Sequence, residues 1–87
     1  MPLKNYIVYI LRCADYTLYT GITVDTKARL KKHACGRGSK YVRARLPAEI
    51  VYTRKVRGRS RASREECRIK KMSRQEKLNL ISSNNLK

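Results

Sequence analysis

Residues 5–12 are apolar on both sides of an extended chain. Tyr6, Val8 and Ile10 fall on one side, and Ile7, Tyr9 and Leu11 on the other. A strand with no polar face belongs in the middle of a sheet. Ala14-Asp15-Tyr16-Thr17 interrupts the pattern, with Asp15 suited to a turn. Residues 18–22 then resume it as a second strand. Gly21 inside that strand either weakens it or lets another group lie close against the backbone. After Asp25, a good N-cap, the spacing becomes helical over residues 26–35, and Gly36 supplies the stop. Leu30 and Ala34 share one face of this helix. Arg29 and His33, also four apart, share another stretch of its surface.

Residues 36–40 read as a basic loop and 41–45 as a short helical turn ended by Pro47. Residues 49–53 form the third strand, with Ile50 and Tyr52 assigned to one face and Val51 to the other. A charged connection over 54–59 leads to Ser60, the predicted cap of a helix over 61–72. Ser73-Arg74-Gln75-Glu76 is a capping box, so a new helix starts there. The tail, 82–87, is polar and frayed. The order is β-β-α-(α)-β-α-α, an α+β domain with one three-stranded antiparallel sheet packed with helices. The 87 residues make a single domain, with a core over about 5–81.

Charge changes this picture most. Twenty-two Lys and Arg stand against six acids, a net +16. Residues 36–64 alone carry +9, with +4 before them and +3 after. Self-repulsion of this size destabilises a compact chain, so a polyanionic partner is the natural explanation, and nucleic acid is the favoured one. No basic amphipathic helix with large apolar residues argues for a membrane surface, and no apolar run approaches the length of a span. Cys13, Cys35 and Cys67 are odd in number and widely spaced, and a lone His33 cannot complete an ordinary zinc site. Buried or half-buried free thiols in a reducing, cytoplasmic setting follow.

Ile7-Val8-Tyr9 on the first strand, Tyr19-Thr20-Gly21 on the second, and Arg29 on the next helix together resemble the GIY-YIG endonuclease superfamily. The likeness continues through GRGSKYVRARLPAEIVYT and RASREECRIKKMSRQEK, covering roughly residues 5 to 81. It is similar in extent to the small stand-alone bacterial members. The sequence departs from the pattern at Ile7, where Gly is common, and no asparagine is placed convincingly beyond the later glutamate.

The resemblance implies a metal-dependent endonuclease acting on DNA, with one Mg²⁺ or Mn²⁺ and a tyrosine-assisted water attack. Tyr9 is the residue that acts on the water. As a phenol with an ordinary pKa of about 10, it needs cationic neighbours to serve as a base. Tyr19 would position water or phosphate if both rings leave the same face. Arg29 offers a planar fork that matches phosphate oxygens. His33 could relay a proton. For the metal, helical periodicity places both Glu65 and Glu66 near the apolar stripe of Ala62, Ile69 and Met72 and does not choose between them. The resemblance puts the ligand four residues after Ala62, at Glu66. Arg37, Lys40, Arg43 and Arg45 would hold the nucleic-acid backbone without reading bases. A domain this small leaves targeting to a partner protein. The competing reading is a non-catalytic basic module with the same fold, which binds nucleic acid and does not cut it.

Overall fold

The computed structural model describes residues 4–34 and 40–84. Its elements are β1 (Asn5–Arg12), β2 (Leu18–Thr23), α1 (Thr26–Ala34), α2 (Lys40–Arg43), β3 (Glu49–Arg57), α3 (Arg59–Lys70) and α4 (Arg74–Asn84). The sheet order is β2-β1-β3, antiparallel throughout, so the doubly apolar strand is central as its pattern demands.

Each face of the sheet carries its own core. Val8, Ile10 and Tyr52 pack with Ala62 and Ile69 of α3 on one face, joined by Leu80 and Ile81 of α4. On the other, Tyr9, Leu11 and Cys13 pack with Val42 of α2, beside Tyr19, Leu46 and Ile50. α1 lies against α2. No described helix is long and apolar enough to cross a membrane.

Local chemistry explains most of the element boundaries. Asp15 accepts hydrogen bonds from the Thr17 backbone N–H (3.1 Å) and hydroxyl (2.6 Å), closing the β1–β2 turn as an Asx motif. Tyr16 sits there at φ 65°. Arg45 Nε donates to the other Asp15 oxygen at 3.0 Å and ties the turn to the chain after α2. Asp25 caps α1 by accepting from the Ala28 N–H at 3.1 Å. The capping box at α4 is reciprocal, with Ser73 N–H donating to Glu76 (3.0 Å) and Glu76 N–H donating to the Ser73 hydroxyl (3.2 Å).

Four expectations are corrected. β3 runs four residues beyond 53 to Arg57, because backbone pairing of Asn5 through Val8 with Arg57 through Arg54 extends the edge strand despite its charges. Ile50 and Tyr52 face opposite sides. The register shifts between Ile10 and Leu11, which pair with Tyr52 and Ile50, so Val51 is the extra residue of a β-bulge that inverts the alternation. α3 starts at Arg59 rather than 61, on Gly58 at φ 88° and without a side-chain cap. The Gly58 N–H donates to the Lys4 carbonyl at 2.8 Å, a long-range bond that turns the chain into the helix. Of the described thiols, Cys13 is buried but Cys67 is exposed on the outer face of α3, contrary to expectation, and Cys35 lies outside the described residues.

Candidate active site

The β1–β2 register puts Tyr9 opposite Gly21 and Leu11 opposite Tyr19. Tyr9 and Tyr19 are therefore diagonal neighbours whose rings leave the same face. Gly21 is the residue that makes room. A Cβ built on it would lie 2.5 Å from the Tyr9 hydroxyl oxygen and 2.7 Å from Cζ, so the Tyr9 ring lies directly over the glycine backbone. Close approach, rather than a weak strand, is the reason for Gly21.

Tyr9 is buried, at 3% exposure. Its phenol is pushed up to about 12, first by burial and then by the neighbouring Tyr19. Arg29 pulls it down, and Glu66 pushes it up. Three charged or ionisable groups from β2, α1 and α3 thus act on one hydroxyl of β1. α3 packs on the Val8–Ile10 face of the sheet, and Glu66 acts on the Tyr9 phenol through its charge. In the protein by itself, burial outweighs the single arginine, so Tyr9 is a neutral phenol and not the acidified tyrosine that a cationic surrounding would produce.

The two glutamates of α3 differ in their partners. Both Glu65 oxygens are engaged, by Arg68 Nε at 2.8 Å, Arg68 Nη2 at 2.7 Å and Arg54 Nη1 at 2.9 Å. The Arg68 hydrogen bond is the main reason its carboxyl lies below the usual range; burial opposes it. Glu66 is half-buried and has one ion-pair partner among the described residues, Lys70 Nζ at 3.5 Å, one turn on. It therefore keeps more of its lone pairs uncommitted than Glu65 does. Glu65 staples β3 to α3. No group of three or more His, Cys, Asp or Glu that could hold a metal exists among the described residues.

Arg29 lines a cavity of about 220 Å³ together with Tyr6, Ile22, Thr23, Val24 and Arg59. Arg59 escaped sequence reasoning, which placed it in a charged connection. Its position at the start of α3 brings it alongside Arg29. Arg43 is exposed on α2. Arg45 pins Asp15. His33 lies in α1 and Lys40 opens α2, but their side chains, like all of Arg37, lie outside the described residues.

Residues 5–79 match the family model of the GIY-YIG catalytic domain. The chain belongs to the GIY-YIG family. A UPF0213 protein of Oceanobacillus iheyensis is 49% identical over 78 residues, 90% of this chain and 91% of that protein. One from Syntrophus aciditrophicus is 50% identical over 82 residues, covering 93% of each. Among solved structures, the UPF0213 protein BH0048 from Bacillus halodurans superposes with a TM-score of 0.61 at 42% identity, covering 94% of this chain and 88% of that one. Protein EF2693 from E. faecalis gives 0.66 at 32% identity, covering 100% and 94%. Membership places this GIY-YIG domain in a nuclease family and implies nucleic-acid binding.

Proposed function

We propose that this GIY-YIG domain is a DNA endonuclease that hydrolyses phosphodiester bonds with one divalent ion held by Glu66. The observation that supports it most is the single electrostatic neighbourhood of Tyr9, Tyr19, Arg29 and Glu66 around the Tyr9 hydroxyl. These four come from four different elements, and the strand register accounts only for the pairing of Tyr9 with Tyr19.

A half-buried carboxylate whose one ion-pair partner among the described residues is Lys70 suits Mg²⁺ or Mn²⁺, which bind through one or two carboxylates with waters and substrate phosphate completing the shell. It does not suit zinc, which wants four protein donors or three and a water. When bound, such an ion neutralises charge on the scissile phosphate and acidifies water. The chain's own groups supply the rest. Arg29 presents its guanidinium fork to the phosphoryl oxygens and offsets the charge that grows on them. Tyr9, neutral at physiological pH, accepts a hydrogen bond from the attacking water and orients it. Tyr19, on the same face, holds the second side of that water or a phosphate oxygen. His33, four residues beyond Arg29 in sequence, has an imidazole whose ordinary pKa suits carrying the released proton to solvent. Burial of the Tyr9 ring against Gly21 fixes the hydroxyl without a flexible approach, which is how a positioned group gains its advantage.

The test is a cleavage assay over duplex, nicked, branched and single-stranded DNA with Mg²⁺ and with Mn²⁺, run beside Glu66→Ala and Tyr9→Phe. The expected result is metal-dependent nicking lost in both variants while DNA binding persists. Undiminished cutting by both variants removes the assignment. Tight, salt-sensitive binding without cutting under either ion would establish the non-catalytic module instead.

A further inference from the structure

The described surface holds a second basic feature outside the neighbourhood of Tyr9. A groove of about 830 Å³ runs along the outer face of α3. Its floor is made of the short side chains of Ser60, Ser63 and Cys67, and its walls include Arg59, Arg64 and Lys71. Arg68 also lines it but is committed to Glu65. Arg59, Arg64 and Lys71 have no acidic partner among the described residues, so their charge is unspent within the fold. Neither glutamate of α3 lines the groove: Glu65 is taken up by Arg54 and Arg68, and Glu66 pairs with Lys70.

The groove shares a lining residue, Arg59, with the cavity at Arg29. At the same flank of the helix, Lys70 lies 3.5 Å from Glu66. With a rise of about 1.5 Å per residue, the row from Arg59 to Lys71 is roughly 18 Å long. That is the axial rise of about five phosphates of one strand, at ~3.4 Å each. A floor of small residues lets a phosphate backbone approach the helix while long cations reach it from both sides.

We propose that this face of α3 is a second phosphate track, on which the DNA strand that passes Arg29 and Glu66 continues toward Lys71. The proposal rests on the nucleic-acid half of the function given above. Guanidinium and ammonium groups on a helix surface, with no planar slot between them, grip the backbone and read no bases. The track is therefore sequence-blind.

The experiment measures DNA affinity against salt concentration in EDTA, with a short labelled duplex, so that binding is read without cutting. It compares wild type with the triple variant Arg59→Gln/Arg64→Gln/Lys71→Gln. A reference triple, Lys55→Gln/Arg57→Gln/Lys77→Gln, removes equal charge from β3 and α4. Thermal melts check that all three proteins fold. Each lost phosphate contact lowers the slope of log K against log salt by about 0.9, so the α3 triple is expected to lower it by about 2.7 and the reference triple by less than one contact. Equal slopes in wild type and α3 triple overturn the track. So do equal losses in both triples, since they mean diffuse charge. A loss of affinity for anionic vesicles at an unchanged DNA slope assigns the face to a membrane and also overturns it. Cleavage is read separately. A wild type that shows the track slope but never cuts with Mg²⁺ or Mn²⁺ removes the nuclease reading and leaves the track standing.

Discussion

Replacing Gly21 with alanine tests whether the site depends on one missing side chain. The new Cβ would meet the Tyr9 ring at 2.5 Å (hydroxyl oxygen), 2.7 Å (Cζ) and 3.1 Å (Cε1). Ordinary contact begins near 3.5 Å, so the phenol end must retreat by about 1 Å. That retreat is opposed, because Tyr9 is 3% exposed and packed in the cluster of Leu11, Cys13 and Val42. Overpacking of this kind destabilises by about 1–3 kcal/mol. Without the ring, a Gly→Ala change in a permissive strand would instead stabilise by about 0.4–1 kcal/mol through the unfolded chain. The two accounts therefore differ in sign. Urea unfolding followed by far-UV circular dichroism reads the stability, and single-turnover nicking reads the activity. A 1 Å misplacement of a group acting on the water is expected to cost on the order of 10²-fold in rate with DNA affinity retained. In a Tyr9→Ala background the penalty of Gly21→Ala should disappear, giving a coupling energy of about 1–3 kcal/mol. A Gly21→Ala protein as stable as wild type, or a penalty that survives in the Tyr9→Ala background, would refute the packing argument.

Other outcomes follow from the same geometry. The Tyr9 phenol is raised from 10 to about 12 on folding, so the native state holds its proton more tightly. Its stabilisation is complete below pH 10 and is lost as pH climbs through 12, a fall of roughly 2–3 kcal/mol. Denaturant melts from pH 9 to 12 should show that fall in wild type and a smaller one in Tyr9→Phe; parallel curves would contradict it. The Glu65 carboxyl is depressed, chiefly by the Arg68 hydrogen bond, so its stabilisation is present above the ordinary carboxylate range and lost as pH falls through its folded value. Glu65→Gln should flatten the acid limb of a thermal-melt series and leave the metal requirement for cutting intact, whereas Glu66→Gln should do the reverse. Ser73→Ala removes one half of the α4 capping box and should cost about 1 kcal/mol in a urea titration without changing DNA affinity.

The frame of the domain is legible in its apolar pattern because burial on both faces of β1 leaves no other place for residues 5–12 than the middle of a sheet. Turn and cap chemistry is local, so Asp15, Asp25 and the Ser73–Glu76 box are readable from a few neighbouring letters. What escaped is non-local. The charged end of β3 is held by backbone pairing to the start of β1, which no side-chain pattern announces. The bulge at Val51 swaps the faces of Ile50 and Tyr52 because a period of two assumes an unbroken ladder. The start of α3 depends on the Lys4 carbonyl, more than fifty residues away in the chain. Periodicity put Glu65 inside the apolar stripe and Glu66 on its edge without choosing between them; only Arg54 and Arg68 around Glu65 separate a staple from a carboxylate with one lysine partner. The raised phenol of Tyr9 likewise reflects burial, a tertiary quantity that charge counting along the chain does not contain.

Ala62 is fully buried against the sheet, one helical turn before Glu66. Its methyl group sets how deeply α3 can seat on Val8, Ile10 and Tyr52. Any bulkier residue there would prop the helix outward and carry the carboxylate with it. The seating of the acid is thus gauged by the smallest side chain of the hydrophobic interior, one helical turn before it.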